Sequence, residues 1–326
     1  MITLIPQSER RTLGEMSERL DLASGNVSAK RSAFWVMLAL SGVIAVSGVI
    51  ADSTATVIGA MIIAPLSTPI LGIGLGIVAG RGGIIGRSLL YVVLSVGIVV
   101  ALGVIIAQLL PNPTNVLSNS QVTGRTSPTL VDLMAALATG FAGAIAMTRR
   151  DVGDVLPGVA IAISLVPPLG VVGVCLGSGA EWLAFGALVL FLSNVLALVF
   201  ACTVVLMLSG YARDAIDTPR SARRGRAYIS IAVGFVVVII PMVLNSLSSL
   251  WAGQVQNAAE QWLSNTDSAQ VQKVTVRSEA VVVDILSPGD LPNLGDLQRD
   301  VDEIVPWSPD VVVQHNVGQR LEGSTN

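Results

Sequence analysis

Seven runs of apolar residues, at about 32–50, 53–79, 87–110, 129–148, 156–177, 181–209 and 227–248, divide the chain. Each reaches or approaches the roughly 20 residues that a helix needs to cross a bilayer. The pattern predicts an all-α membrane part with seven transmembrane helices. Two of the runs are interrupted. Residues 52–80 carry Pro65 and Pro69, with Ser67 and Thr68 between them, and residues 151–179 carry Pro167 and Pro168. Proline removes a backbone N–H and collides with the preceding turn. In lipid the freed carbonyls need partners, so a broken helix is tolerated where it faces protein or a water-filled cavity. A kinked, packed helix is the plainer alternative for either stretch taken alone.

The two interrupted stretches correspond. At an offset of 99 positions Asp52 falls on Asp151, Gly59 on Gly158, Leu66 on Leu165, Pro69 on Pro168, Gly74 on Gly173 and Gly80 on Gly179. Apolar identities arise easily by chance. Matched glycines and prolines weigh more, because each sets the backbone. The reading is a duplicated three-span unit, 32–110 and 129–209. Three is odd, so with seven full crossings the two units are inverted relative to each other, a 3+3 inverted repeat. Interrupted segments at corresponding positions of two halves point to a transporter's binding site.

The remaining segments have a different grain. In residues 1–31, Leu13, Met16 and Leu20 recur at helical spacing among Arg10, Arg11, Arg19, Lys30 and Arg31. This predicts either a short amphipathic helix on the membrane surface or a loosely ordered cytosolic tail. Residues 111–128 are rich in turn formers and read as an irregular outer loop. Small residues crowd 135–146, which suits close helix packing and subunit association as a homo-oligomer. Residues 210–226 form a basic loop. Beyond the seventh run, 227–248, residues 250–326 predict a small α/β domain. A helix continues over 250–264, strands lie at 271–276, 281–286 and 309–315, and a helix covers 293–304.

Composition sharpens this picture. The chain is 52% hydrophobic and 13% charged, with a mean hydropathy of +0.73; soluble domains carry about 25% charged residues. Lipid is therefore the expected surrounding. Arg81, Arg87, Arg149, Arg150 and the arginines of 213–226 fall on the same side as the basic N-terminus when the runs alternate, and Arg125 falls on the other. The positive-inside rule then predicts a multi-pass cell-membrane protein with its N-terminus cytoplasmic and its C-terminal domain extracytoplasmic. A rival topology makes 52–80 and 151–179 re-entrant hairpins, and it would place Arg81, Arg87, Arg149 and Arg150 outside. Trp35, Tyr91, Tyr211 and Tyr228 fall near inner span ends, and Trp182 and Trp251 near outer ones. Cys175 and Cys202 lie in apolar runs and read as packing residues.

No nucleophile–base pair, metal-ligand cluster or phosphate loop is legible, so neither an enzyme nor a cofactor is expected, and nucleic acid is not an expected partner. His315 stands alone, and the acidic residues Asp296, Asp300, Asp302 and Glu303 read as a solvated face. Solute handling fits better. A helix broken at mid-depth turns backbone dipoles into one cavity, its N-terminal end favouring an anion and its carbonyl end a cation. The candidate lining is Gly59, Pro65, Ser67, Thr68 and Pro69 in the first unit, and Gly158, Ser164, Pro167 and Pro168 in the second. Ser95 and Asn194 occupy equivalent positions at depth, where an interhelical hydrogen bond is the alternative for Asn194. Asp132, near the outer end of the fourth run, is either an intramembrane functional carboxylate or a first-turn acid. Asp52, Asp151 and Asp154 read as caps or first-turn acids.

The runs IGAMIIAPLSTPILGIGLGI at 58–77 and LPGVAIAISLVPPLGVVG at 156–173, with TRRDVGD at 148–154, resemble the bacterial and archaeal membrane family called domain of unknown function 389. The likeness covers about residues 32–209. It implies an integral membrane protein and brings no activity with it. The expected function is a transporter or channel-like protein for a small ion or polar solute, with its site between the two broken helices. The alternative is a membrane-anchored scaffold or sensor whose α/β domain binds a ligand or partner.

Overall fold

The computed structural model describes residues 5–6, 8–109, 116–152, 165–214, 221–264, 266, 269–276 and 280–318, apart from the side chains of 221–224, 226–228 and 230. It divides into two compact units, Met1–Met242 and Val243–Asn326.

In the first unit helices α1 (Leu13–Leu20), α2 (Val27–Ile50), α3 (Thr54–Ile63), α4 (Ser67–Ala79), α5 (Gly82–Leu109), α6 (Ser120–Thr126) and α7 (Leu130–Thr148) follow in order. Then come α8 (Val166–Gly177), α9 (Glu181–Leu208), α10 (Tyr211–Asp214) and α11 (Ser221–Trp262), the last passing into the second unit. Five stretches are long and apolar enough to cross a membrane: α2, α5, α7, α9 and Ile231–Trp262 within α11. The run predicted at 53–79 is two helices, α3 and α4, bent by 48° at their junction and counting as a sixth span if taken as one. Hydropathy counts apolar length and is blind to such a bend. Of the run predicted at 156–177, the described part is α8, 12 residues long. The remainder falls in 153–164, outside the described residues.

The helix boundaries keep the 99-residue offset. α4 begins at Ser67 and α8 at Val166; α5 spans Gly82–Leu109 and α9 spans Glu181–Leu208. Gly80 and Gly179 close the matched helices α4 and α8 with φ of 67° and 72°. This left-handed turn is cheap only for glycine.

Packing repeats as well. α4 lies against α5 and α9, and α8 lies against α9 and α5. Each short helix therefore touches the long helix of its own unit and of the other. At one crossing a Cβ on Gly173 would stand 2.5 Å from the Val100 carbonyl and 2.7 Å from Gly103 Cα. At the other a Cβ on Gly74 would stand 3.3 Å from the Val199 carbonyl and 2.9 Å from Cys202 Sγ. Val100 and Gly103 are Val199 and Cys202 shifted by 99. Outside the bundle, Leu89, Leu90, Val93 and Leu94 of α5 are more than 40% exposed. Lipid accepts a surface of this kind, and water does not.

The N-terminal helix α1 is amphipathic as its spacing predicts, capped by a reciprocal Thr12–Glu15 box. Its apolar side faces protein: Met16 and Leu20 are each 1% exposed and belong to the main core, and α1 lies against α4.

The second unit holds a three-stranded sheet in the order β1 (Gln270–Val276), β2 (Ala280–Ser287), β3 (Asp310–Val317). β1 pairs antiparallel with β2. β2 pairs parallel with β3, with Val281 opposite Val311, and helix α12 (Leu294–Ile304) makes the crossover. Val281, Val283 and Ile285 alternate inward, meeting Leu297 and Val301 of α12 and Val255, Ala259 and Leu263 from the end of α11 and just beyond it. Trp251, placed at a span end by sequence, stands here edge-on to Trp307 with ring centroids 4.8 Å apart.

Candidate functional site

The chain breaks between α3 and α4 because Pro65 and Pro69 follow each other closely. Ala64 is extended at ψ 125°. The Thr68 N–H donates to the Pro65 carbonyl at 3.2 Å, starting α4 afresh. Leu66 stands at the cap of α4 without a side-chain cap bond, and Leu165 stands likewise at the cap of α8. Leu66 and Leu165 are equivalent at the 99 offset, 0% and 1% exposed, and members of one core with Ile70 and Leu169. Both proline-bearing helix starts are thus set in the protein interior.

Around this core the predicted residues divide. Pro69, Pro167 and Pro168 are buried, and Pro65, Ser67 and Thr68 are half-buried. Ser95 and Asn194 are both buried, on α5 and α9, the two long helices that contact both α4 and α8. The Ser95 hydroxyl donates to the Tyr91 carbonyl at 2.7 Å within its own helix. Gly59 is exposed, and a Cβ added there meets nothing within 4 Å. Asp132 accepts from the Thr129 N–H at 2.7 Å and hydroxyl at 2.8 Å, the capping box of α7. Gly158, Ser164 and Asp154 lie outside the described residues. An apolar groove of about 600 Å³ runs between α7, α9 and α11, lined by Leu133, Phe200, Met207, Ile231 and Phe235. Its one hydroxyl, on Thr203, already donates to the Val199 carbonyl at 2.7 Å, so the groove offers nothing to a polar solute.

Two polar clusters that sequence did not single out lie at the ends of the bundle. At the basic end, residues 8–21 bind the end of α7, the α4–α5 turn and α10. The Arg11 N–H donates to the Thr148 carbonyl at 2.9 Å, and the Arg150 N–H to the Glu9 carbonyl at 2.8 Å. Ion pairs join Arg10 to Asp214 at 2.6 Å, Arg87 to Asp21 at 2.6 Å and Arg150 to Glu15 at 2.8 Å. The Tyr211 hydroxyl donates to the Arg11 carbonyl at 2.6 Å, with the Arg10 guanidinium 4.0 Å over its ring. Asp151 pairs with Arg149.

At the other end Asp52 has φ 50° and is no cap; Ser53 caps α3 instead. Asp52 accepts from the Ser120 hydroxyl at 2.7 Å and the Gln121 N–H at 3.0 Å. These bonds hold its carboxyl below the usual carboxylate range, Ser120 contributing most. Gln121 Nε2 donates to Thr54 Oγ1 at 2.8 Å, and Asn119 Nδ2 to the Val49 carbonyl at 2.7 Å. The legible trace of the basic cluster was the capping pattern of Thr12–Glu15, which marks a local turn and not its distant partners.

The basic cluster has a pH signature. The Arg150 guanidinium beside Glu15, then the Thr12 N–H and hydroxyl, hold the Glu15 carboxyl down at about 2. A lowered folded value stabilises above the unfolded value, ~4.3, and that contribution fades as pH falls towards the folded one. A ¹³C titration of Glu15 is expected to give a midpoint near 2, and Arg150→Gln to return part of the shift, the Thr12 bonds keeping the rest. A wild-type midpoint at the usual glutamate value would refute the contact.

Residues 61–200 match the family described as Domain of unknown function (DUF389). An uncharacterized protein of the archaeon Methanocaldococcus jannaschii is 30% identical over 210 residues, 63% of this chain and 64% of the relative. The chain thus spans somewhat less than two thirds of that relative's length. No solved structure matches. The match to the DUF389 family takes in both proline-bearing helices, α5 and most of α9.

Proposed function

We propose that the membrane unit is a transporter or channel-like protein for a small ion or polar solute, with its route between the two proline-led helices. One observation carries this reading. Equivalent helix starts, at Leu66–Pro69 and Leu165–Pro168, sit inside one core and are flanked by α5 and α9, which bring Ser95 and Asn194. A break that served only as a kink has no need of a matched partner. Paired breaks in two halves of a membrane protein are the usual arrangement around a solute site.

The reading includes inversion of the two units, and the contacts at the bundle ends support it. α2 leaves the basic end, where Lys30 Nζ donates to the Ser24 carbonyl at 2.7 Å, and reaches the α6 end at Val49. Its counterpart α7 leaves the α6 end and reaches the basic end at Thr148. α4 ends at the basic end, where Arg81 donates to Ser17 at 3.3 Å. Its counterpart α8 ends at Gly177, against Val104 and Ala107 in the last turns of α5. The stretch α3–α4 runs from one end to the other, which favours a full, broken crossing over a re-entrant hairpin. The positive-inside rule assigns the basic end to the cytoplasm.

Purified protein in liposomes loaded in turn with chloride-, pH- and potassium-sensitive dyes is expected to dissipate at least one imposed gradient. Pro69→Ala and Pro168→Ala are each expected to slow that flux about tenfold or more, the factor given by ~1.4 kcal/mol of barrier. Unchanged flux in both variants would remove the site between the broken helices. The second reading, a scaffold or sensor, is favoured by the separate core of the C-terminal unit. It is tested by disabling that unit.

A further inference from the structure

The polar clusters at the two ends of the membrane unit are built on one plan. In each, the segment preceding one three-helix unit clasps the first helix of the other. Residues 8–21 precede α2 and bind the end of α7; residues 119–126 precede α7 and bind the end of α2. The carbonyls they take are equivalent. Arg11 N–H donates to Thr148 O, and Asn119 Nδ2 donates to Val49 O; Val49 and Thr148 are 99 positions apart. Each clasp also buries apolar side chains in the bundle: Met16 and Leu20 at the basic end, Val122 at the other. The chemistry of the two differs. The basic clasp is held by the ion pairs of Arg10, Glu15 and Asp21 with Asp214, Arg150 and Arg87. The other is held mainly by hydrogen bonds on Asp52, Thr54 and Val49.

We propose that these segments are the two gates of the membrane unit, each closing one mouth, and that the structure has both closed. This rests on the permeation reading. Of the three ion pairs Arg150–Glu15 is the most open, 42% exposed on both sides; an exposed pair of this kind contributes little and is screened by salt, so it is where the clasp opens. The clasp on Asp52 lacks that weakness. The basic gate therefore responds to ionic strength and charge, and the other does not. Each clasp touches a proline-bearing stretch: Asp52 is followed by α3, and the Leu20 carbonyl lies 3.0 Å from the place a Cβ on Gly72 of α4 would occupy.

Gate opening can be read without knowing the solute. Met16→Cys and Val122→Cys report on the two clasps, since both positions are buried when the clasps are shut and the native Cys175 and Cys202 are buried too. In full-length Met16→Cys protein in liposomes, adding Glu15→Lys is expected to raise the rate of maleimide labelling at position 16 at least about tenfold, the ratio given by ~1.4 kcal/mol. Raising salt from about 0.1 to 1 M, which shortens the screening length from ~10 to ~3 Å, should act in the same direction. Neither change should alter the labelling of Val122→Cys protein. Combining Arg150→Glu with Glu15→Lys should restore slow labelling at position 16, which a variant that merely misfolds would not do. Asp52→Asn should speed labelling at position 122 alone. Labelling at position 16 that ignores charge and salt overturns the gate proposal, even where dye flux persists. Charge-dependent labelling without flux of any dye leaves the clasp mobile but overturns the permeation reading and, with it, the gating role.

Discussion

Gly173→Val is expected to prevent assembly of the membrane unit. Where neighbours can shift, an extra methyl group in a packed core costs about 1–3 kcal/mol. Here they cannot shift cheaply, because a Cβ on Gly173 would meet backbone: Val100 O at 2.5 Å and Gly103 Cα at 2.7 Å. α5 and α8 would have to separate along their whole contact, and the effect should exceed the ~4–5 kcal/mol that marks an exceptional substitution. The equivalent crossing makes a milder comparison. At Gly74 two of the three nearest atoms belong to the Cys202 side chain, at 2.9 and 3.0 Å. Gly74→Ala should lower the Tm of detergent-solubilised protein, and adding Cys202→Gly should recover part of the loss by copying the glycine of the other crossing. Gly173→Val protein that elutes as a single species with the wild-type Tm would refute the crossing.

What could be read from the chain follows from the range of the forces involved. The strands at 271–276, 281–286 and 309–315 and the helix at 293–304 were legible because their patterns are local. Alternation at Val281, Val283 and Ile285 needs no knowledge of the partner. The break at Pro65–Pro69 was legible because proline acts on its own turn, and small residues at 135–146 pointed correctly to close packing: a Cβ on Gly140 would stand 3.0 Å from that of Ala201. Apolar length did not report the 48° bend between α3 and α4; among the described residues five helices are long and apolar enough to cross, or six if that pair is one span. The clasps were invisible for a different reason. Glu15 and Arg150 are 135 positions apart, and Arg10 and Asp214 are 204 apart; only the fold brings them together. The spacing of Met16 and Leu20 was read correctly as a helix face. Lipid and protein core impose the same spacing, so what that face touches was not in the pattern. Asp132 was legible as two alternatives, and the capping box with Thr129 accounts for its carboxylate.

Val283→Asp is expected to unfold the C-terminal unit and leave the membrane unit folded. Val283 is fully buried in the middle of β2, among Val255, Leu297 and Val301. An unpaired carboxylate there loses its hydration without gaining a partner, a cost of several kcal/mol, which matches or exceeds the whole stability of many small domains. Among the described residues, the buried members of this core lie at or beyond Val255 and those of the membrane-unit cores at or before Met242, so each unit has a core of its own to lose. Limited proteolysis should degrade the region after Trp262 while the fragment through α9 resists. The same variant separates the two functional readings. If the membrane unit conducts by itself, dye flux in liposomes should survive the loss of the sheet at no less than about a tenth of the wild-type rate. If the sheet is a sensor on an inert anchor, no flux distinguishes wild type from variant, and whatever the sheet binds is lost. Flux abolished by Val283→Asp with α1–α9 intact would contradict the division of labour proposed here, because it would make the C-terminal unit part of the conducting machinery.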